Sequence, residues 1–259
     1  MELVTMKLAN KVVVITGSGG GIGAACARRF AAEGAKVLVT DINTDSVSAV
    51  ASEIGSEGLA GDISQEETVR AVAELARRAY GEIDIWFSNA GVAGPRGARG
   101  DISDNARWES MWALHVMSHV YAVREVVPSM LERGDGYLLQ TSSLVALLTQ
   151  PEKAAYSVTK HAGLALAEWL AVNYRPRGIK VSCFCAPAMR TAILEDQGFP
   201  ADHPVFKAAM TPEAVASLLV DGIDAERFLI VESSTATDPL AERAEDYERW
   251  LTKMESPQF

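Results

Sequence analysis

One pattern constrains this chain more than any other: short β-branched runs alternate with longer amphipathic stretches. The runs are "KVVVIT" (11–16), "KVLVT" (36–40), "IDIWFS" (83–88), "GYLLQTS" (136–142), "IKVSCF" (179–184) and "RFLIV" (227–231). Runs of this length and content read as buried strands, and a further short strand is expected near 58–61. The apolar periodicity between them predicts helices over about 22–33, 44–54, 64–80, 104–133, 154–175 and 211–224, and a charged helix over about 239–254. Such alternation implies right-handed crossovers, and hence an α/β fold: a parallel sheet with helices on both faces. No composition shift or repeat divides the chain, so one domain over 1–259 is expected. The stretch 186–210 mixes Met, Ile, Leu and Phe with Pro and Gly, and is expected to form a substrate loop or lid. Residues 239–259 make a polar C-terminal tail.

Composition narrows the function. A hydrophobic fraction of 48% supplies a sizeable core. A net charge of −10 disfavours nucleic acid and anionic membranes, and leaves room for a small anion at a local site. The cysteines, Cys26, Cys183 and Cys185, are too few and odd in number for a disulfide framework, and fit a reducing compartment. Cys183 and Cys185 lack a second pair to complete a zinc site, and read as small buried residues. No stretch reaches the roughly 18 apolar residues of a membrane span. The run "KVVVITG" is too short, and too broken by glycine, for a signal peptide, so a cytoplasmic protein is expected.

The string "TGSGGGIG" (16–23) follows the first strand and opens a helix. Gly17, Gly21 and Gly23 allow a tight turn, close approach of backbone to phosphate and close helix–sheet packing, and the helix end offers free N–H groups to a pyrophosphate. Asp41 ends the second strand, 18 residues past Gly23. An acid there accepts hydrogen bonds from ribose hydroxyls and repels a 2′-phosphate, which favours NAD over NADP; the alternative is an aspartate capping the next helix. Asp62 and Ile63 follow the third strand, where they would flank the adenine. Asn89, Ala90 and Gly91 follow the fourth, on the same edge of the sheet.

"YSVTK" puts Tyr156 and Lys160 four apart, on one helix face. A phenol titrates near about 10, too high for a base at neutrality, and a neighbouring ammonium lowers that value. Ser143 lies 13 residues before Tyr156, at the end of a strand, where its hydroxyl would hold a substrate oxygen beside the phenol.

"TGSGGGIG", "NAG", "SS" and "YSVTK", in this order and spacing, resemble the short, single-domain branch of the short-chain dehydrogenase/reductase family, over about residues 7 to 231. The resemblance implies a Rossmann-type, doubly wound, seven-stranded sheet and hydride transfer between a nicotinamide cofactor and a carbonyl or hydroxyl carbon. It makes Tyr156 the general acid/base, Lys160 the residue that lowers its pKa and binds the nicotinamide ribose, and Ser143 the residue that orients the substrate oxygen. The expected cofactor set is Gly17, Gly21, Ile22, Gly23, Asp41, Ile42, Asp62, Ile63, Asn89, Ala90 and Gly91, joined by Tyr156, Lys160, Pro187 and Thr191. Where the family usually has Pro-Gly, this chain has Pro187-Ala188, which requires a negative φ at Ala188. Thr191 matches a threonine that bonds the carboxamide. The polar tail stands where many relatives carry a strand and Gly-Gly that pack across a tetramer. A homodimer or homotetramer is implied, built on the segments 104–133 and 154–175.

"HVMSH" puts His115 and His119 four apart in the expected long helix. A catalytic zinc needs a third protein ligand, and His161 and His203 are the only other histidines, so no metal site is expected. In the resemblance His115 takes the place of an asparagine that holds a relay water. An imidazole can accept, donate and titrate near neutrality, so His115 is expected to complete the Ser143–Tyr156–Lys160 site; packing is the alternative. His119 reads as a core or interface residue. Leu144, Val145, Leu147 and the 186–210 loop suggest a lipophilic pocket wall. Lys153, Arg96 and Arg99 read equally as pocket cations or solvated side chains. The leading expectation is an NAD-dependent dehydrogenase or reductase of a lipophilic alcohol or ketone; the alternatives are an NADP-linked ketoacyl-type reductase and a non-catalytic dinucleotide-sensing regulator.

Overall fold

The computed structural model describes residues 8–94, 97–195, 202–232 and 237–255. The β-branched runs become strands: β1 (Val12–Thr16), β2 (Lys36–Asp41), β3 (Glu57–Ala60), β4 (Ile85–Ser88), β5 (Gly136–Thr141), β6 (Ile179–Phe184) and β7 (Leu229–Ile230). They form one parallel sheet in the order β3-β2-β1-β4-β5-β6-β7. The seven-stranded, doubly wound expectation holds.

Alternation along the strands separates two cores. Val13 and Ile15 of β1 face one side with Val39, Phe87 and Leu139, and meet α1 (Gly21–Ala32), α2 (Thr44–Ile54) and α9 (Pro212–Asp224). Val12 and Val14 face the other, with Leu38, Trp86, Leu138 and Val181, against α3 (Glu66–Tyr80), α5 (Ser118–Arg133) and α6 (Ala154–Tyr174). Each fully buried aliphatic or aromatic side chain contributes roughly 2 kcal/mol. The chain runs from β1 outward to β2 and β3, then returns to lay β4 on the other side of β1. This reversal leaves a crevice beyond the carboxyl ends of β1 and β4, where open α/β sheets bind ligands.

Three boundaries differ from the sequence reading. The stretch 104–133 is not one regular helix: α4 (Asn105–Trp112) passes through a π turn (Ala113–Met117) into α5. Within it Ser118 N–H bonds the Ala113 carbonyl, and the Ser118 hydroxyl takes the Leu114 carbonyl at 2.6 Å, so neither group is orphaned. The tail divides into α10 (Thr237–Glu245) and α11 (Tyr247–Glu255), because the Asp246 carboxylate accepts Arg249 N–H at 2.9 Å and starts a new helix. The last strand pairs only over Leu229–Ile230. Two short helices, α7 (Ala192–Glu195) and α8 (Pro204–Ala208), fall within 186–210. No helix among the described residues is long and apolar enough to cross a membrane.

Candidate active site

A cavity of about 610 Å³ opens at the crevice, lined by the ends of β1, β2, β4 and β5, the start of α6 and the segment after β6. Its first wall is the glycine turn. Gly17 and Gly21 have φ of +65° and +52°, conformations that side chains rarely adopt. A Cβ on Gly17 would sit 2.8 Å from Ala90 Cα, and one on Gly23 would strike the Gly17 carbonyl oxygen. Gly20 precedes α1 with no side-chain cap, and Gly20, Gly21 and Ile22 line the cavity. A helix start without its own acceptor, at a turn free of side chains, fits a pyrophosphate.

Asp41 also lines the cavity. Its carboxylate accepts Gly19 N–H at 3.1 Å and Asn43 N–H at 3.2 Å, tying β2 to the glycine turn. The cap of α2 is Asn43, which accepts Ser46 N–H at 2.9 Å, so Asp41 is not that helix's cap. Ile42 is 73% exposed at the cavity rim, and Asp62 and Ile63 line the same end. The Asn89 side chain is turned to the protein: its amide nitrogen donates to the carbonyls of Thr16 (3.0 Å) and Gly17 (3.3 Å), and its oxygen accepts the Thr141 hydroxyl at 3.1 Å. Thr16 in turn accepts the backbone N–H groups of Asn89 and Ala90. Asn89 thus braces β1, β4 and β5 together while lining the cavity beside Ala90 and Gly91. Pro187, Ala188 and Thr191 close the opposite side, with Thr191 Cγ2 3.3 Å from where a Gly21 side chain would begin. Ala188 is not among the non-glycine residues with positive φ, so the Pro-Ala sequence fits without strain.

The chemistry converges from β5 and α6. Ser143 lies two residues past β5 and caps the short turn Leu144–Ala146, and its hydroxyl stands close enough to the Tyr156 phenol to lower its pKa. It also accepts Val145 N–H at 3.2 Å. Lys160 Nζ lies 5.6 Å from the centre of the Tyr156 ring and donates to the Thr141 carbonyl at 3.4 Å. Burial pushes the phenol above its ordinary value and the nearby Ser143 hydroxyl pulls it back in part, so the lowering expected from Lys160 does not prevail. Burial also brings Lys160 down to about 8, opposed by the neighbouring Cys183 and Cys185. The ammonium is therefore mostly charged at neutral pH.

His115 lies behind this group, 2% exposed. A methyl group built on Gly91 would lie 3.4 Å from His115 Nε2 and 3.5 Å from Lys160 Nζ, so both side chains close on that glycine. The ring's Nε2 accepts Val92 N–H at 3.2 Å. Nδ1 meets the Thr159 hydroxyl at 3.0 Å, and that hydroxyl donates to the Tyr156 carbonyl at 3.1 Å. This pattern assigns the proton to Nδ1. Two expectations for His115 are corrected. Burial, then the charges of Lys160 and His119, hold its pKa well below the usual range, so it does not titrate near neutrality. Both ring nitrogens are engaged within the protein, which leaves none to hold a relay water. Its ring packs edge-on against Tyr156, 5.8 Å between centres.

Other residues also fall differently from the sequence reading. Leu144 and Val145 line the cavity, whereas Leu147, 3% exposed, packs into the core; Leu148 takes the wall position instead. Arg99 leaves the pocket and donates to the carbonyls of Met254 and Glu255 at the end of α11. Arg96 lies outside the described residues. Lys153 is buried at the cavity wall. Sequence reasoning missed Thr16, Thr141 and Thr159, whose hydroxyls hold Asn89 and His115; Thr159 is visible in hindsight as the residue three after Tyr156.

The family model described as short chain dehydrogenase matches residues 11–199. The chain belongs to the short-chain dehydrogenase family. This short-chain dehydrogenase is 32% identical over 254 residues to the 1-deoxy-11-beta-hydroxypentalenate dehydrogenase of Streptomyces exfoliatus, covering 95% of this chain and 92% of that protein. It is 27% identical over 226 residues to the cyclohexanol dehydrogenase of Acinetobacter sp. (strain SE19), covering 84% and 89%. A short-chain dehydrogenase/reductase from Burkholderia phymatum, solved in complex with NAD, superposes with a TM-score of 0.82 at 26% identity, covering 94% of this chain and 96% of that one.

Proposed function

We propose that this short-chain dehydrogenase oxidises a lipophilic secondary alcohol, or reduces the matching ketone, with NAD and with Tyr156 as general acid/base. The observation that carries the reading is the Tyr156 phenol at the cavity wall, with Ser143 lining the same cavity and the Lys160 ammonium over its ring. A bound NAD would supply the hydride acceptor and a cationic ring to this site. Tyr156 takes the hydroxyl proton in oxidation and returns it in reduction. Ser143 holds the substrate oxygen beside the phenol. Lys160 supplies a fixed positive charge that favours the phenolate. Gly17, Gly21, Ile22 and Gly23 would hold the pyrophosphate, Asp41 and Ile42 the adenosine ribose, and Asp62 and Ile63 the adenine. Asn89, Ala90, Gly91, Lys160, Pro187 and Thr191 would surround the nicotinamide half. Leu144, Val145, Leu148, Ile193 and Leu194 supply an apolar substrate wall. Relatives named for a hydroxypentalenate and for cyclohexanol support a CH–OH substrate. A screen of alcohols and ketones with both cofactors, following the absorbance of reduced nicotinamide, tests the reading; no turnover across the panel would sink it.

Cofactor choice follows from charge. Among the described residues that line the cavity the cations are Lys153 and Lys160, both on the α6 side, so a 2′-phosphate at Asp41 would meet a carboxylate with no described cation lining that end. Repulsion there is worth about tenfold to a hundredfold in affinity. Calorimetric titration is expected to show NADH binding more tightly than NADPH, and the reverse order would refute the choice of NAD.

His115 acts here as a positioning residue, linking Val92 to the Tyr156 turn through Thr159. His115→Leu is expected to lower kcat by about tenfold to a hundredfold with NADH affinity unchanged. His115→Asn, whose amide can also accept and donate, is expected to restore most of it. Equal rates in the Leu variant and the parent would reduce His115 to packing.

The outer face of α6 leaves Val158, Trp169 and Val172 exposed by 47%, 56% and 75%, with Trp112 of α4 at 43%. Large apolar groups at helical spacing fit burial against a second copy, so at least a homodimer is expected. Light scattering that gives a monomer at micromolar concentration would overturn it.

A further inference from the structure

The substrate end of the cavity contains a second buried cation that hydride transfer does not need. Lys153 immediately precedes α6, three residues before Tyr156. It is 7% exposed and lines the cavity. Its Nζ stands 5.6 Å from the centre of the Tyr156 ring, the same separation as Lys160 Nζ. Two ammonium groups therefore approach one phenol ring. Among the described residues the lining carboxylates, Asp41 and Asp62, both lie at the dinucleotide end. The same cavity is lined by Leu144, Leu148, Ile193, Leu194 and Val205, with Thr149 and Gln150 the polar lining residues near Lys153 in sequence. Positive charge in an apolar, low-dielectric pocket attracts an anion more strongly than it would in water.

We propose that Lys153 is a specificity-determining residue and that the substrate is a lipophilic hydroxy acid or oxo acid. Its carbinol or carbonyl lies at Ser143 and Tyr156, its hydrocarbon body lies on the leucine and isoleucine wall, and its carboxylate is received by the Lys153 ammonium. This rests on the dehydrogenase reading above and adds the substrate class to it. An ammonium donates in three directions, so Lys153 can hold a protein acceptor and still donate to a ligand. The alternatives are that its charge serves the Tyr156 phenolate alone, or that its stem merely fills space beside the ring.

Two measurements separate these. The first is kcat/KM for medium-chain and cyclic hydroxy acids, each beside its methyl ester, with the carboxylate at increasing distance from the carbinol. The parent is expected to favour the acids. In Lys153→Met the acid-over-ester ratio is expected to fall by about tenfold to a hundredfold, the worth of one hydrogen bond to a charged group, and to fall less in Lys153→Arg. A ratio unchanged in Lys153→Met overturns the proposal, as does an equal loss for acid and ester, which would assign Lys153 to the phenol. The second measurement needs no turnover. The NADH-bound protein is titrated in a calorimeter with hexanoate and with cyclohexanecarboxylate, each beside its amide. Carboxylate binding in the parent that is weakened in Lys153→Met supports the site even where the alcohol screen fails and the dehydrogenase reading falls. Carboxylates that bind the parent no better than their amides overturn the site even where neutral alcohols are oxidised.

Discussion

Tyr156→Phe is expected to abolish nearly all turnover while leaving the fold and NADH affinity in place. The substitution keeps the ring, and with it the edge contact to His115 at 5.8 Å and the position under Lys160. It removes only the phenol oxygen, the atom that exchanges the proton. General acid–base groups contribute roughly 10²–10⁴-fold, and the rate is expected to fall by that amount. The loss should appear in kcat and kcat/KM together, because the missing interaction is made in the transition state. Unfolding temperature and NADH binding are the controls. Turnover within a few-fold of the parent would mean that another group carries the proton. Lys160, at about 8, is the nearest candidate, and a rate that rises with pH through that value would identify it.

The parts of this site that depend on local spacing were legible in the sequence. Gly17, Gly21 and Gly23 span the turn from β1 into the first turn of α1 because a side chain would strike backbone at Gly17 and Gly23 and Gly21 has positive φ, and that requirement is visible in the string itself. Tyr156 and Lys160 share a helix face by periodicity alone. Strand alternation, with the resemblance, gave the layered sheet down to the short β3. Other features depend on partners far along the chain. The π turn exists because Ser118 can satisfy Leu114 with its own hydroxyl, a choice no helical periodicity reveals. His115 looked free to titrate, and only the approach of Val92 and Thr159 fixes it. Lys153 read equally as solvated; its burial follows from how the 144–150 segment and α6 fold around the cavity.

The two histidines of "HVMSH" are expected to dominate the acid limb of stability. His119 is 4% exposed, and burial, reinforced by the charge of Lys160 and opposed by the nearby Gln140 side chain, brings its pKa down to about 4 from 6.5. Its Nδ1 has no hydrogen-bond partner. His115 is lowered as well, by burial first. In both cases the fold favours the neutral ring. Below about 6.5 the unfolded chain takes up a proton that the folded chain refuses, so unfolding becomes easier as pH falls; above that value neither state binds it and the full stability is present. The stability at stake for His119 is about 3 kcal/mol, lost progressively between about pH 6.5 and its folded value near 4. That is a large share of a marginal total. Carboxylates also titrate toward the lower end of this window, so the parent must be compared with His119→Leu, which fills similar volume and cannot be protonated. Urea midpoints followed by tryptophan fluorescence are expected to fall steeply for the parent between pH 7 and pH 5, and clearly less for the variant. Parallel curves would mean that His119 opens to water before it titrates. Protonation of either ring would also add positive charge beside Lys160, so activity and stability should decline together on the acid side. These histidines are therefore neutral core groups that set the lower pH limit of the site, rather than a metal pair or a relay.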